Sequence, residues 1–161
     1  MSNDSYPLTS ATSGVAGTCA YNRHKVIARI QADPAPAYQF VVKPCLKGNC
    51  RSQAYNAEKD LRDYVANYGP VSVCLNASGK NGTVWQYYTK GVVAGSVCSG
   101  ASDQMNHCAQ LVGYVVRPNG RGYWLVRNQW GSNWGMNGQI RLQLNANTCG
   151  ISNYATVPLV A

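Results

Sequence analysis

The chain has 161 residues, of which 45% are hydrophobic and 12% charged, and a formal net charge of +8. This balance excludes a disordered polyelectrolyte and fits one domain with its own core, or one domain plus a piece of another. No apolar run reaches the ~20 residues that span a bilayer, and the 14 basic residues fall singly or in pairs, so neither a membrane span nor a nucleic-acid surface is expected.

Seven cysteines, 16 glycines and 11 tyrosines point to a loop-rich, β-rich protein with disulfides, from a secreted or lysosome/vacuole-like compartment. Sequons at Asn3, Asn76 and Asn81 are glycosylation candidates that agree with this. Met1 to Ser5 has neither the basic start nor the apolar core of a signal peptide, so the expectation is a chain cut from a longer precursor.

In chain order, residues 1–20 are loop and turn material, rich in Ser, Thr and Gly. Val26 to Ile30 and Tyr38 to Lys43 are predicted strands, separated by Asp33-Pro34-Ala35-Pro36. Cys45 and Cys50 flank Gly48-Asn49, which suits a disulfide-pinned hairpin insertion. Two thiols are too few for a zinc site, so no metal or cofactor is expected.

Asn56 to Asn67 is the predicted helix, with Asn56 as cap, Glu58 and Asp60 in the first turn, and Leu61, Tyr64 and Val65 on an apolar stripe. Gly69-Pro70 stops it, and Val71 to Leu75 alternates as a half-buried strand. Trp85 to Val93 reads as an aromatic helical turn leading into a strand, its aromatics expected to be core. Tyr123 to Arg127, Gln139 to Leu144 and Tyr154 to Leu159 are further strands, so the sum is an antiparallel, barrel-like β domain with little helix.

Chemistry concentrates between Gln104 and Gly138. His107 heads one apolar run and Asn128 ends another, with Trp130 and Trp134 just beyond. An imidazole exchanges protons near neutral pH, and an amide carbonyl can fix its tautomer. His24 has no such context and is expected on the surface.

Asn106-His107-Cys108 leading to Val112-Gly113-Tyr114, followed by Asn128-Gln129-Trp130-Gly131-Ser132-Asn133-Trp134-Gly135, resembles the papain-like cysteine peptidases, the family of papain and the cathepsins. Gln129 stands where that family usually has serine, and Cys108 where it has a small residue. The resemblance implies an α+β papain-like fold. Residues 1–22 would be the tail of the helical N-terminal (L) domain, and 23–161 the β-rich C-terminal (R) domain with its Cys45/Cys50 insertion.

It further implies that His107 is general base and acid, that Asn128 orients it, that Trp130 shields their hydrogen bond, and that Trp134 walls the site beyond the scissile bond. Cys98 and Cys149 match a disulfide of the family's second domain, leaving Cys19, Cys74 and Cys108 without assigned partners. Cys74, Met105 and Ala109 would line the S2 pocket with Tyr154 at its base, which favours medium apolar side chains.

The family's nucleophilic cysteine and oxyanion glutamine belong to a segment with no match in Met1 to Asn106, and Cys108 cannot substitute because adjacent strand residues point to opposite faces. The implied function is the C-terminal part of a peptidase, inactive alone, with an N-terminal segment or chain bearing the nucleophile, peptide substrates, and a propeptide or cystatin-type inhibitor as partners. The alternative is a catalytically inactive relative with a scaffold, binding or silicatein-like role.

Overall fold

The computed structural model describes residues 23–26, 28–30, 37–46, 51–79 and 83–160, and for 51–56 only the backbone course. The expectations for residues 1–22, Asn3, Cys19, Cys50 and Asn81 lie outside the described residues. The elements are β1 (Tyr38–Phe40), α1 (Arg51–Asn67), β2 (Val71–Leu75), β3 (Val92–Val93), β4 (His107–Val116), β5 (Gly122–Arg127), β6 (Gln139–Gln143) and β7 (Tyr154–Pro158). They form a seven-stranded sheet in the order β1-β7-β2-β4-β5-β6-β3, antiparallel except for the β3–β6 pair.

The strand expectations from Val71 onward match to within a residue at each end. Val26 to Ile30 does not form a strand; among its described residues only Ile30 pairs, in a single bridge to Val160. The strand expected to reach Lys43 ends at Phe40, although Val41 N–H still donates to Ala155 O and Cys45 N–H to Asn153 O, both at 2.9 Å.

Alternation places Val71, Val73 and Leu75 of β2, Trp124 and Val126 of β5, and Ile140 and Leu142 of β6 in one core, each with no exposed surface. β4 contributes Ala109 and Leu111, and then a bulge between Leu111 and Gly113 shifts its phase. Tyr114 is thereby brought opposite Trp124, ring centroids 5.9 Å apart.

The helix starts at Arg51, earlier than expected, so Glu58 lies well inside it and not in its first turn. Glu58 joins Leu61 in the core with no exposed surface. Trp124 Nε1–H donates to its Oε2 at 2.9 Å, Asn145 N–H donates to the same oxygen at 2.7 Å, and Asn147 N–H donates to Oε1. A buried carboxylate is tolerated only when so bonded. The helix ends where Tyr68 N–H reaches Tyr64 O and Gly69 adopts φ +119°, a conformation that favours glycine.

Candidate active site

His107 opens β4 and Asn128 follows the last residue of β5. Because those strands are antiparallel neighbours, with Gln110 opposite Arg127, the start of one and the end of the other meet at the same end of the sheet. His107 Nε2 and Asn128 Oδ1 are 2.9 Å apart.

Gln129 N–H donates to the same Asn128 atom at 2.9 Å. An atom that accepts a backbone N–H is the amide oxygen, and an oxygen facing Nε2 can only accept. His107 therefore carries its neutral-form proton on Nε2, and Nδ1 keeps the lone pair. Asn128 is 8% exposed, so its carbonyl works with little competition from water.

The turn after Asn128 is built by backbone conformations open to glycine: Gly131, Gly135 and Gly138 have φ of +91°, +58° and +81°. Gly135 is also confined in space, since a Cβ there would lie 2.7 Å from Gln139 O. Asn128 N–H donates to Gly138 O at 2.8 Å and closes the loop on itself.

This loop delivers the two tryptophans to different places. Trp130 stands against the imidazole, centroids 5.2 Å apart, and is 46% exposed. Trp134 is half-buried; it stacks on Trp85 at 5.9 Å, and its Nε1–H donates to Trp85 O at 2.9 Å. Trp85, expected only as core, is fully buried yet lies 5.4 Å from the His107 ring. The only signal in the sequence for this was its aromatic character.

A cleft of about 540 Å³ opens beside the pair, lined by Ala77, Ser78, Gln86, Asn106, His107 and Trp130. Asn106 is fixed on its rim: its Nδ2 donates to Ser78 Oγ at 2.7 Å and its Oδ1 accepts Ala77 N–H at 3.0 Å. Uncharged polar groups dominate this edge.

The cysteines depart from expectation. Cys74 and Cys108, both left unassigned above, are directly opposite on β2 and β4 and form a disulfide. Register produces it: Val71 opposite Leu111 puts the two cysteines face to face three residues on. Cys98 and Cys149 are also bonded to each other, across 51 residues of sequence. Cys45 is disulfide-bonded, with its partner outside the described residues.

Of the residues assigned to S2, Cys74 and Tyr154 are register partners on β2 and β7 and share a face. Met105 is half-buried two residues before His107. Ala109 does not join them: alternation along β4 turns it into the core with Leu111, and the residue sharing the Cys74 face is Cys108. Phe40 packs edge-on to Tyr154 at 5.1 Å and extends this face. A hydrogen bond to Tyr38 raises the Tyr154 hydroxyl above its ordinary pKa.

Asn76 is not available as a glycan acceptor. It is 3% exposed, its Oδ1 accepts the N–H groups of Ser78 and Gly79, and its Nδ2 donates to Gln104 Oε1.

With this geometry in view, comparison with known proteins is decisive. The sequence pattern of the papain family cysteine protease matches residues 2–159. The chain belongs to the papain family of cysteine proteases. A "Cathepsin L-like" protein of Caenorhabditis elegans is 39% identical over 104 residues, 64% of this chain and 29% of that protein. Procathepsin L 3 of the Tenebrio molitor larval midgut superposes with a TM-score of 0.72 at 28% identity, over 99% of this chain and 43% of that one. Bromelain of Ananas comosus, solved with the E64 inhibitor, superposes with a TM-score of 0.54 at 31% identity, over 65% of this chain and 46% of that one.

The chain thus spans less than half the length of these relatives. Its one helix and mostly antiparallel sheet are the C-terminal, R-domain portion of the papain fold.

Proposed function

We propose that this chain supplies the imidazole half of a cysteine-type endopeptidase, with residues 23–161 as its R domain and 1–22 as the end of the L domain. The observation that carries this reading is the hydrogen bond from His107 Nε2–H to an Asn128 oxygen whose identity Gln129 N–H fixes. That arrangement leaves Nδ1 to take a proton from a thiol.

A cysteine presented to Nδ1 by the N-terminal portion transfers its proton to His107, and the thiolate attacks the peptide carbonyl. The imidazolium then protonates the leaving amine, held in line by Asn128. Trp130 keeps water off the Nε2–Oδ1 bond, and Trp134 walls the leaving-group side. Without the N-terminal portion there is neither nucleophile nor oxyanion donor, and the chain alone is inactive.

The face carrying Cys74, Cys108, Tyr154 and Phe40 meets the N-terminal portion and, with Met105, borders S2. Its bulk supports medium apolar side chains there, in peptide and protein substrates. A propeptide and cystatin-type inhibitors would occupy the same cleft. Two internal disulfides and the bonded Cys45 support a secreted or lysosome-like compartment.

The test is peptide hydrolysis by the full-length protein, with and without a thiolate-directed epoxide. We expect epoxide-sensitive turnover that Asn128→Ala lowers about 10- to 100-fold in kcat with KM little changed. Turnover insensitive to both the epoxide and His107→Ala would refute the reading.

A further inference from the structure

The His107–Asn128 bond holds the imidazole at one atom. One attachment fixes Nε2 but leaves the ring free to swing about it, and that swing displaces Nδ1, the atom that must meet the thiol. Something else has to stop the swing.

Two indoles border the ring. Trp130 is one, but at 46% exposed it has solvent behind it. Trp85 is the other: it has no exposed surface, meets His107 with centroids 5.4 Å apart and planes at 72°, and lies 6.5 Å from Trp130. Behind Trp85, Trp134 stacks at 5.9 Å with an interplanar angle of 27°, and the Trp134 indole N–H is bonded to the Trp85 carbonyl. Tyr88 N–H donates to that same carbonyl at 3.2 Å. Trp85 is thus braced on the side away from the histidine.

The indole of Trp85 is also a costly way to fill a core. Its Nε1 is buried and has no hydrogen-bond partner among the described residues. Burying an unsatisfied donor costs roughly 1–3 kcal/mol, which a phenylalanine filling the same volume would not incur. Edge-to-face aromatic contacts contribute about 0.5–1.5 kcal/mol beyond area burial and depend on ring geometry. The indole's reach toward the imidazole is what a smaller ring lacks.

We propose that Trp85 is a positioning residue: it sets the plane of His107, so that Nδ1 is aimed at the incoming nucleophile while Asn128 holds Nε2. The kinetic consequence rests on the peptidase reading; the orientation itself does not.

The test compares Trp85→Phe and Trp85→Leu in the full-length protein, with near-ultraviolet circular dichroism to establish that each folds. Peptidase kcat and KM are read together with the chemical shifts of the His107 ring protons. In Trp85→Leu, kcat is expected to fall about tenfold or more with KM within about twofold, and the His107 protons to lose their ring-current shift. Trp85→Phe is expected to recover most of both. If Trp85→Leu keeps kcat and the His107 shifts while only its melting temperature drops, Trp85 is core filler and the proposal fails. If the unaltered protein hydrolyses no peptide, the peptidase reading fails by itself, and the His107 shifts alone decide the role of Trp85. Unchanged shifts overturn it, and shifts lost in the leucine variant and restored in the phenylalanine variant sustain it.

Discussion

Gln129 Nε2–H donates to the carbonyl oxygen of Cys108 at 3.3 Å, so the residue after Asn128 is tied to the residue after His107. The two positions where the motif departs from the usual family pattern are therefore in contact, and the bond runs parallel to the His107–Asn128 pair. The backbone N–H of Gln129 separately holds Asn128 Oδ1.

The side chain and the backbone of Gln129 thus have different jobs, and a substitution separates them. Gln129→Ala keeps the backbone N–H and removes the tie. Because the residue is exposed, the loss of stability should be no more than about 0.5–1.5 kcal/mol by denaturant unfolding, with peptidase kcat within about threefold of the unaltered protein. A hundredfold loss of kcat would show that the backbone N–H alone does not hold the pair.

The sequon at Asn76 should remain unmodified. Its side-chain oxygen and nitrogen are both engaged inside the turn that leads from β2, and a glycan on Nδ2 has no route to solvent. Mass spectrometry of the peptide containing Asn76, from protein made in a glycosylating host, should find the unmodified mass. Replacing Asn76 by Gln should destabilise the fold by roughly 1–3 kcal/mol, since buried partners lose their acceptor.

Much of the sheet was legible because its strands alternate strictly: Val71-Ser72-Val73 and Ile140-Arg141-Leu142 declare their buried faces residue by residue. His107 and Asn128 were legible through their motif. Other features depend on three-dimensional relations that no local pattern encodes. The Cys74–Cys108 bond is a property of strand register, fixed by where β2 and β4 align. Glu58 reads as a helix-dipole carboxylate until the helix is seen to begin a turn and a half earlier, which rotates it into the core. Trp85 has the composition of a core aromatic and also the burial of one; only its nearness to His107 distinguishes it.

Non-reducing peptide mapping should recover Cys74 linked to Cys108 and Cys98 linked to Cys149. The first bond closes a segment with sequence separation 34 and sits next to His107, so it restrains both the unfolded chain and the strand that carries the imidazole. The double variant Cys74→Ser, Cys108→Ser should lose roughly 2–4 kcal/mol of stability. Its effect on kcat should be smaller than that of Asn128→Ala, because the His107–Asn128 bond does not pass through the disulfide.

Glu58 gives the fold a pH dependence of unusual sign. Burial raises its pKa above the ordinary 4.5, and the N–H groups of Asn147, Trp124, Asn145 and Ala146 only partly offset that rise. Between the ordinary value and the raised one, the folded chain holds a proton that the unfolded chain has released. The unfolded state binds fewer protons there, so unfolding free energy decreases as pH increases. The contribution of this group is fully present below pH 4.5 and is lost as pH climbs through the raised pKa. Glu58→Gln removes the titration, but it also turns an amide N–H₂ toward a site already filled with donors. That variant should melt at a lower temperature throughout, with a flatter dependence on pH over the weakly acidic range. A melting profile whose pH slope is the same with and without Glu58 would show that its carboxyl titrates alike in the folded and unfolded chains.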